Sequence, residues 1–208
     1  MSRKAKEQNK FIRLGVNNVY NTPSSLAEVV HSFIPIFDLD PCSNEQSHIR
    51  ARKTFGYQKD GTFINALLMN EWKGETVFLN PPGSAMCPEE AGIKGPHRLL
   101  EQFFEKAFSE IDRGNVKQIL AITPCTPDRK WAKRLLTEGM VCFLAKRVQW
   151  ETKPCRRGAP MPASASTKKQ HQDPFGRMVI YYDSDRSYPL GDDFINVFKD
   201  LGYIMCAL

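Results

Sequence analysis

Residues 99–123 read LLEQFFEKAFSEIDRGNVKQILAIT. In the first half Leu99, Leu100, Phe103, Phe104, Ala107, Phe108 and Ile111 recur at three- and four-residue spacing, which makes one face of a helix apolar. In the second half that period stops, and VKQILAIT runs as a buried strand runs. A strong amphipathic helix passing into a buried strand is the alternation of an α/β protein.

The alternation extends both ways. Upstream, TVFLN (76–80) and IFDLD (36–40) are strand-like, and YNTPSSLAEVVHSFI (20–34) carries a helix. In that helix Thr22 suits the N-cap, Pro23 the first helical position, and Leu26, Val29, Val30 and Phe33 form the apolar face. Residues 45–73 read as a short helix followed by irregular chain. Downstream, PDRKWAKRLL (127–136) and DDFINVFKDLG (192–202) are helical, the latter ended by Gly202. MVCFLAKRVQW (140–150), RMVIYYD (177–183) and YIMCAL (203–208) are strand-like. The expected fold is α/β, with a mainly parallel sheet and helices on both faces. In such sheets ligands bind beyond the carboxyl ends of the strands.

Two segments lie outside the alternation. Residues 1–17 form a basic, poorly ordered arm, leaving 18–208 as one domain. ETKPCRRGAPMPASASTKKQHQDPFG (151–176) is nearly free of aliphatics and reads as a long loop between strands. Its Lys153, Arg156, Arg157, Lys168 and Lys169 are placed to neutralise phosphates. The net charge of +6 leans the same way, towards a polyanionic partner.

The six cysteines form no C-x-x-C pair, and the four histidines have no zinc-ligand spacing. No signal-peptide core and no apolar run near the ~20 residues of a membrane span is present. The expectation is a metal-free, soluble protein of the cell interior, in the cytoplasm of a host cell or in a nucleus, with no membrane partner. Oligomeric state is not readable from the chain.

The strand TVFL ends abruptly on Asn80-Pro81-Pro82. Two prolines cannot continue a ladder, because each lacks a backbone N–H and has a fixed φ. The X-Pro linkage holds Asn80 extended. Its amide oxygen and the carbonyl between the prolines form two rigid acceptors, which suit the two hydrogens of an exocyclic amine. Such an amine is a poor nucleophile, so orienting its lone pair at an electrophile can supply much of the catalysis. No activated Ser, Cys or His is required.

Here the chain resembles the S-adenosylmethionine-dependent amino-methyltransferases, whose signature is Asp/Asn-Pro-Pro-aromatic. The order of YNTPSSL, FDLDPCSNE, KDG, EW, VFLNPPGS, ITPCT…W, AKRVQW and DPFGRMVIYY is similar to that of the phage-type DNA N6-adenine methyltransferases, the phage Dam family. The resemblance covers residues 20–182 and implies a Rossmann-like methyltransferase fold. It implies that Asn80, Pro81 and Pro82 hold the target amine. It implies a cofactor site of Tyr20, Thr22, Pro23, Asp40, Cys42, Ser43 and Asp60, with Thr22 and Pro23 bordering the methionine end of S-adenosylmethionine. Carboxylates there can accept from ribose hydroxyls or an adenine amine, and a helix N-terminus can receive a carboxylate.

Trp72 and Trp131 match family positions, though their plain reading is core. Two departures stand out. DPCSNE has no glycine-rich turn, and Gly83 occupies the place of the aromatic that stacks on a flipped base. Phe175 or Trp150 are the rings available to substitute. Arg147, Lys168 and Lys169 join Gly83, Trp150 and Phe175 as the expected substrate-binding set. The function implied is methylation of the exocyclic amine of adenine in DNA. An RNA base, the cytosine amine, a protein glutamine, or a catalytically inactive nucleic-acid-binding relative are the alternatives.

Overall fold

The computed structural model describes residues 16–44, 46–58, 62–81, 99–156, 169–172, 176–185 and 191–206. The expected sites at Asp60, Pro82, Gly83, Lys168 and Phe175 lie outside these residues, as does most of the arm.

The described chain begins with β1 (Val16–Asn21), α1 (Ser24–Phe33), β2 (Phe37–Ser43), β3 (Ala51–Tyr57) and β4 (Phe63–Ile64). A 3-10 turn (Ala66–Leu68) leads to β5 (Thr76–Leu79), α2 (Leu99–Asp112) and β6 (Gln118–Pro124). Then come α3 (Lys130–Glu138), β7 (Met140–Leu144), β8 (Gln149–Arg156), β9 (Lys169–Gln172), β10 (Arg177–Asp183), α4 (Gly191–Phe198) and β11 (Gly202–Cys206).

Among the described residues the main sheet has the order β11-β7-β10-β6-β5-β2-β3-β4. β2 pairs in parallel with β3 and β5, and β5 pairs in parallel with β6. β10 runs antiparallel to both β6 and β7, while β4 and β11 reverse at the two edges. The sheet is therefore mixed and only partly parallel, which corrects the expectation of a mainly parallel one. The cause is local. A parallel connection needs a long crossover, usually a helix. Between β7 and β10 the described chain holds only strands, and β10 returns antiparallel.

Helices cover both faces. On one, α2 and α3 pack Phe103, Phe104, Ala107, Trp131 and Leu135 onto Leu39, Val77, Leu79, Ile119, Ala121 and Ile180. On the other, α1 and α4 pack Leu26, Val30, Phe33, Phe194 and Phe198 onto Phe78, Leu120, Ile122, Val179 and Tyr181. The alternation Val77-Phe78-Leu79 across the two cores is the pleat of a strand buried on both sides. Trp72 and Trp131 are core residues: Trp72 is fully buried and donates Nε1–H to Ala66 O, and Trp131 stacks on Phe104.

The segment 151–176 is not loop at its ends. β8 pairs antiparallel with β1 and with β9 in a separate three-stranded sheet, order β1-β8-β9. Val16 and Asn17, assigned by sequence to the arm, are the first residues of that sheet. Residues 45–73 supply β3, β4 and the 3-10 turn, in place of a short helix followed by irregular chain. β3 reads ARKTFGY, whose charged side chains hide its strand character.

Among the described residues no helix is long and apolar enough to cross a membrane.

Candidate active site

From β2 the chain passes to β3 on one side and then returns to β5 on the other. That reversal is a topological switch point, where open α/β sheets form a crevice beyond the carboxyl ends of their strands. The two strands flanking it end in Asp40-Pro41-Cys42-Ser43-Asn44 and in Asn80-Pro81.

The third contributor arrives from β1. Sequence assigns Thr22 as the cap of α1, but the cap position is Pro23, and no side chain caps it. Ala27 N–H donates to Pro23 O, and the Thr22 hydroxyl is left for other work. Asn80 Nδ2 donates to Thr22 Oγ1 at 3.2 Å, a bond between residues 58 apart in sequence. The neighbouring Asn21 side chain is held too: Asn44 Nδ2 donates to Asn21 Oδ1 at 2.6 Å. Two adjacent residues thus tie the end of β1 to the end of β5 and to the end of β2. With its nitrogen committed to Thr22, the Asn80 amide has its oxygen left as an acceptor.

Asp40 is the electrostatic centre of the β2 end. Its carboxylate is buried and accepts from Cys42 N–H at 3.0 Å. Burial raises its pKa from the ordinary 3.8 to about 7, against the opposing pull of the Cys42 N–H and the Ser43 hydroxyl. Burial, together with the Asp40 charge, pushes the Cys42 thiol well above its ordinary range. A buried carboxylate with so little compensation is a ready acceptor for donors supplied by a ligand. Asp38, two residues earlier, has no such vacancy. It accepts from Thr76 N–H and Thr76 Oγ1, and pairs with Arg52.

The loop after Asp40 is shaped from outside. β2 carries a register shift between Asp40 and Ser43, and Ser43 lies opposite Gly56 of β3. Gly56 has φ +98°, and a Cβ there would meet Ser43 O at 2.1 Å. Only glycine allows this approach.

Glu151 of β8 reaches the amino end of α1. Its Oε1 accepts from Ser24 N–H at 3.1 Å and from Ser24 Oγ at 3.3 Å, while His48 Nε2 lies 2.8 Å from Oε2. The first helical N–H is thereby already paired with a protein carboxylate, so the amino end of α1 is less open to an external anion than the sequence implied.

Of the expected cofactor residues, the structure brings Thr22, Pro23, Asp40, Cys42 and Ser43 to one rim with Asn80 and Pro81. Tyr20 contributes backbone to β1, paired opposite Thr152. Among the expected substrate contacts, Arg147 is exposed beyond the end of β7. Lys169 is the first residue of β9. Trp150 is buried, with the Arg177 guanidinium 5.1 Å from its ring centroid. Its ring belongs to the core under α1 and α4 and does not present a face for a base to stack on. Sequence reasoning missed Asn21, Asn44, Gly56 and Glu151. The two asparagines lie within YNTPSSL and FDLDPCSNE, motifs already singled out, which was the signal available for them; Gly56 and Glu151 carry none.

Among the described residues no three His, Cys, Asp or Glu side chains gather where they could hold a metal. The chain matches no protein-family model and no curated protein.

Proposed function

We propose that the protein is an S-adenosylmethionine-dependent methyltransferase acting on the exocyclic amine of adenine in DNA. The observation that carries this reading is the placement of Asn80. It leaves the sheet at the switch point, beside the loop of a buried carboxylate, with its amide nitrogen held by Thr22 and its oxygen available. The doubly wound order about β2, with helices on both faces of a sheet in which β4, β10 and β11 are reversed, is compatible with a Rossmann-like methyltransferase fold.

The donor set fits the cofactor. The Asp40 carboxylate needs hydrogen-bond donors, and ribose hydroxyls or an adenine amine supply them; Cys42, Ser43 and Asn44 line the adjoining turn. S-Adenosylmethionine supplies an electrophilic methyl group on a cationic sulfur. The remaining work falls to the chain. Asn80 Oδ1 and the Pro81 carbonyl accept the two amine hydrogens, which localises the nitrogen lone pair and fixes its direction. As the new N–C bond forms and the C–S bond breaks, the amine nitrogen becomes cationic, and the two acceptors stabilise that charge. The surplus proton then passes to water. The positive net charge supports a nucleic-acid substrate.

The test is incubation with isotope-labelled S-adenosylmethionine and unmethylated duplex DNA, followed by nucleoside mass spectrometry. Labelled N6-methyladenine is the expected product. Label in cytosine, RNA or protein would keep the chemistry and change the acceptor. Cofactor binding without transfer to any acceptor would leave a non-catalytic module.

A further inference from the structure

Two strands end the main sheet, β4 on one side and β11 on the other. An edge strand presents a row of unpaired N–H and C=O groups, and proteins blunt such edges with short strands, lysine or proline. β4 is blunted by its length of two residues. β11 is not blunted. It runs for five residues as GYIMC, without a charge, a proline or a register shift, and no strand pairs with its outer side among the described residues. Two of its apolar side chains stand in solvent, Tyr203 at 75% exposure and Met205 at 40%.

The register on β7 decides which backbone groups face outward. Gly202 lies opposite Leu144, and one step earlier Leu201 O accepts from Ala145 N–H. In an antiparallel ladder hydrogen-bonded and non-hydrogen-bonded pairs alternate. Leu201, Tyr203 and Met205 therefore turn their backbone groups towards β7, and Gly202, Ile204 and Cys206 turn theirs outward. The side chains alternate as well. Ile204 packs on the core under α1 and α4, while Tyr203 and Met205, opposite Phe143 and Val141, project from the other face.

This edge is complementary to itself. Set antiparallel against a second copy with Ile204 facing its counterpart, β11 pairs Gly202 with Cys206 of the second copy, and Cys206 with its Gly202. That register uses every outward residue, and each such pair exchanges two hydrogen bonds. It also places Tyr203 beside Met205 of the second copy in the closer, non-hydrogen-bonded kind of pair, a thioether against an aromatic ring. Each contact is returned by its mirror, as a two-fold axis requires.

We infer that β11 is a homodimer edge, through which two copies join their sheets about a two-fold axis at Ile204. The inference is independent of the methyltransferase reading. β7, β10 and β6 separate β11 from β5, so the dimer contact lies away from the crevice at Asn80.

A pair of five-residue strands falls in the smallest class of interface, under about 1,200 Å², so the dimer should be weak. Light scattering on the full chain under reducing conditions, from low micromolar to near-millimolar concentration, should show the average mass climbing from 23.7 kDa towards twice that value. Tyr203→Lys combined with Met205→Lys sets like charges against each other and should hold the mass at the monomer value, with Tm unchanged because both side chains are exposed. Cross-linking in a Cys206→Ser background reads the register. Tyr203→Cys mixed with Met205→Cys should oxidise to a disulfide-linked dimer severalfold faster than either variant alone. The cross-linking decides the matter even where the lysine variant loses stability. A monomer at every concentration would overturn the inference and leave the edge to a strand of another protein. A dimer that survives the double lysine variant, or equal cross-linking by a single cysteine variant, would overturn it too.

Discussion

Asn80 and Asp40 divide the labour of the site, and substitutions separate them. Asn80 is half-buried and, on the proposed function, would hold the reacting amine, so Asn80→Ala should lower transfer by at least about 100-fold. Its affinity for S-adenosylhomocysteine should stay near that of the parent, as calorimetry would show. An equal loss of both would place Asn80 in cofactor binding instead. Asp40 acts through charge. Its folded-state pKa lies near 7, above the ordinary 3.8 of the unfolded chain, so the folded state binds the extra proton between those values. Stability therefore falls as pH rises from about 4 to about 7, by a few kcal/mol at most. Asp40→Asn should raise Tm at pH 8 more than at pH 5. A ligand that donates to the carboxylate favours its ionised form, so S-adenosylhomocysteine affinity should climb from pH 5.5 to 8 and be flat in Asp40→Asn. A flat profile in the parent protein would refute Asp40 as the acceptor. Both residues were legible because each closes a strand-like run on a polar side chain. Asn21 and Asn44 were not, since their bond joins the ends of β1 and β2, which only the fold brings together.

At the scale of elements, α1 is anchored by a residue 127 positions away. Pro23 cannot cap with its side chain, and Glu151 substitutes by accepting from Ser24. The His48 hydrogen bond, then the Ser24 bonds, hold the Glu151 pKa below its ordinary value against burial. That contribution is present above the ordinary carboxylate range and is lost as pH falls through the lowered value. Glu151→Ala should cost about 1 kcal/mol, as loss of a helix cap does. For a chain of this length that corresponds to roughly 2–4 °C in Tm. An unchanged Tm at pH 7, or a loss at pH 3 equal to that at pH 7, would refute the anchor. The helices and the strands buried on both faces were readable from their apolar periods. β3, β8 and β9 were not, because ARKTFGY, QWETKPCR and KQHQ carry polar residues where a buried strand would carry aliphatics. Their pairing is decided by partners, and a strand's own sequence specifies it weakly.

At the scale of the molecule, the distribution of charge bears on the substrate. A duplex bound through lysines and arginines releases counterions, so its affinity should fall steeply with salt. Replacing Lys168 and Lys169 together by alanine should reduce the slope of log K against log salt by about 1 to 2. An unaltered slope would put the DNA path elsewhere on the surface. The α/β class was legible in the alternation of periods, whereas the order of the strands was not. Order depends on pairings between distant segments, and RMVIYYD, buried along nearly its whole length, says nothing of the direction in which it runs.

The reversal of β10 has a consequence for how the protein is made. β10 separates β6 from β7, yet it is synthesised after both. Until residues 177–183 have left the ribosome, β6 and β7 each lack the partner that covers one of their edges, and open edges invite pairing between chains. β7 joins the rest of the sheet only when this late segment is inserted, as a keystone joins the halves of an arch, and β11 adds to its other edge later still. A nascent chain halted before residue 177 should therefore be held by chaperones or aggregate, although it already carries Thr22, Asp40 and Asn80.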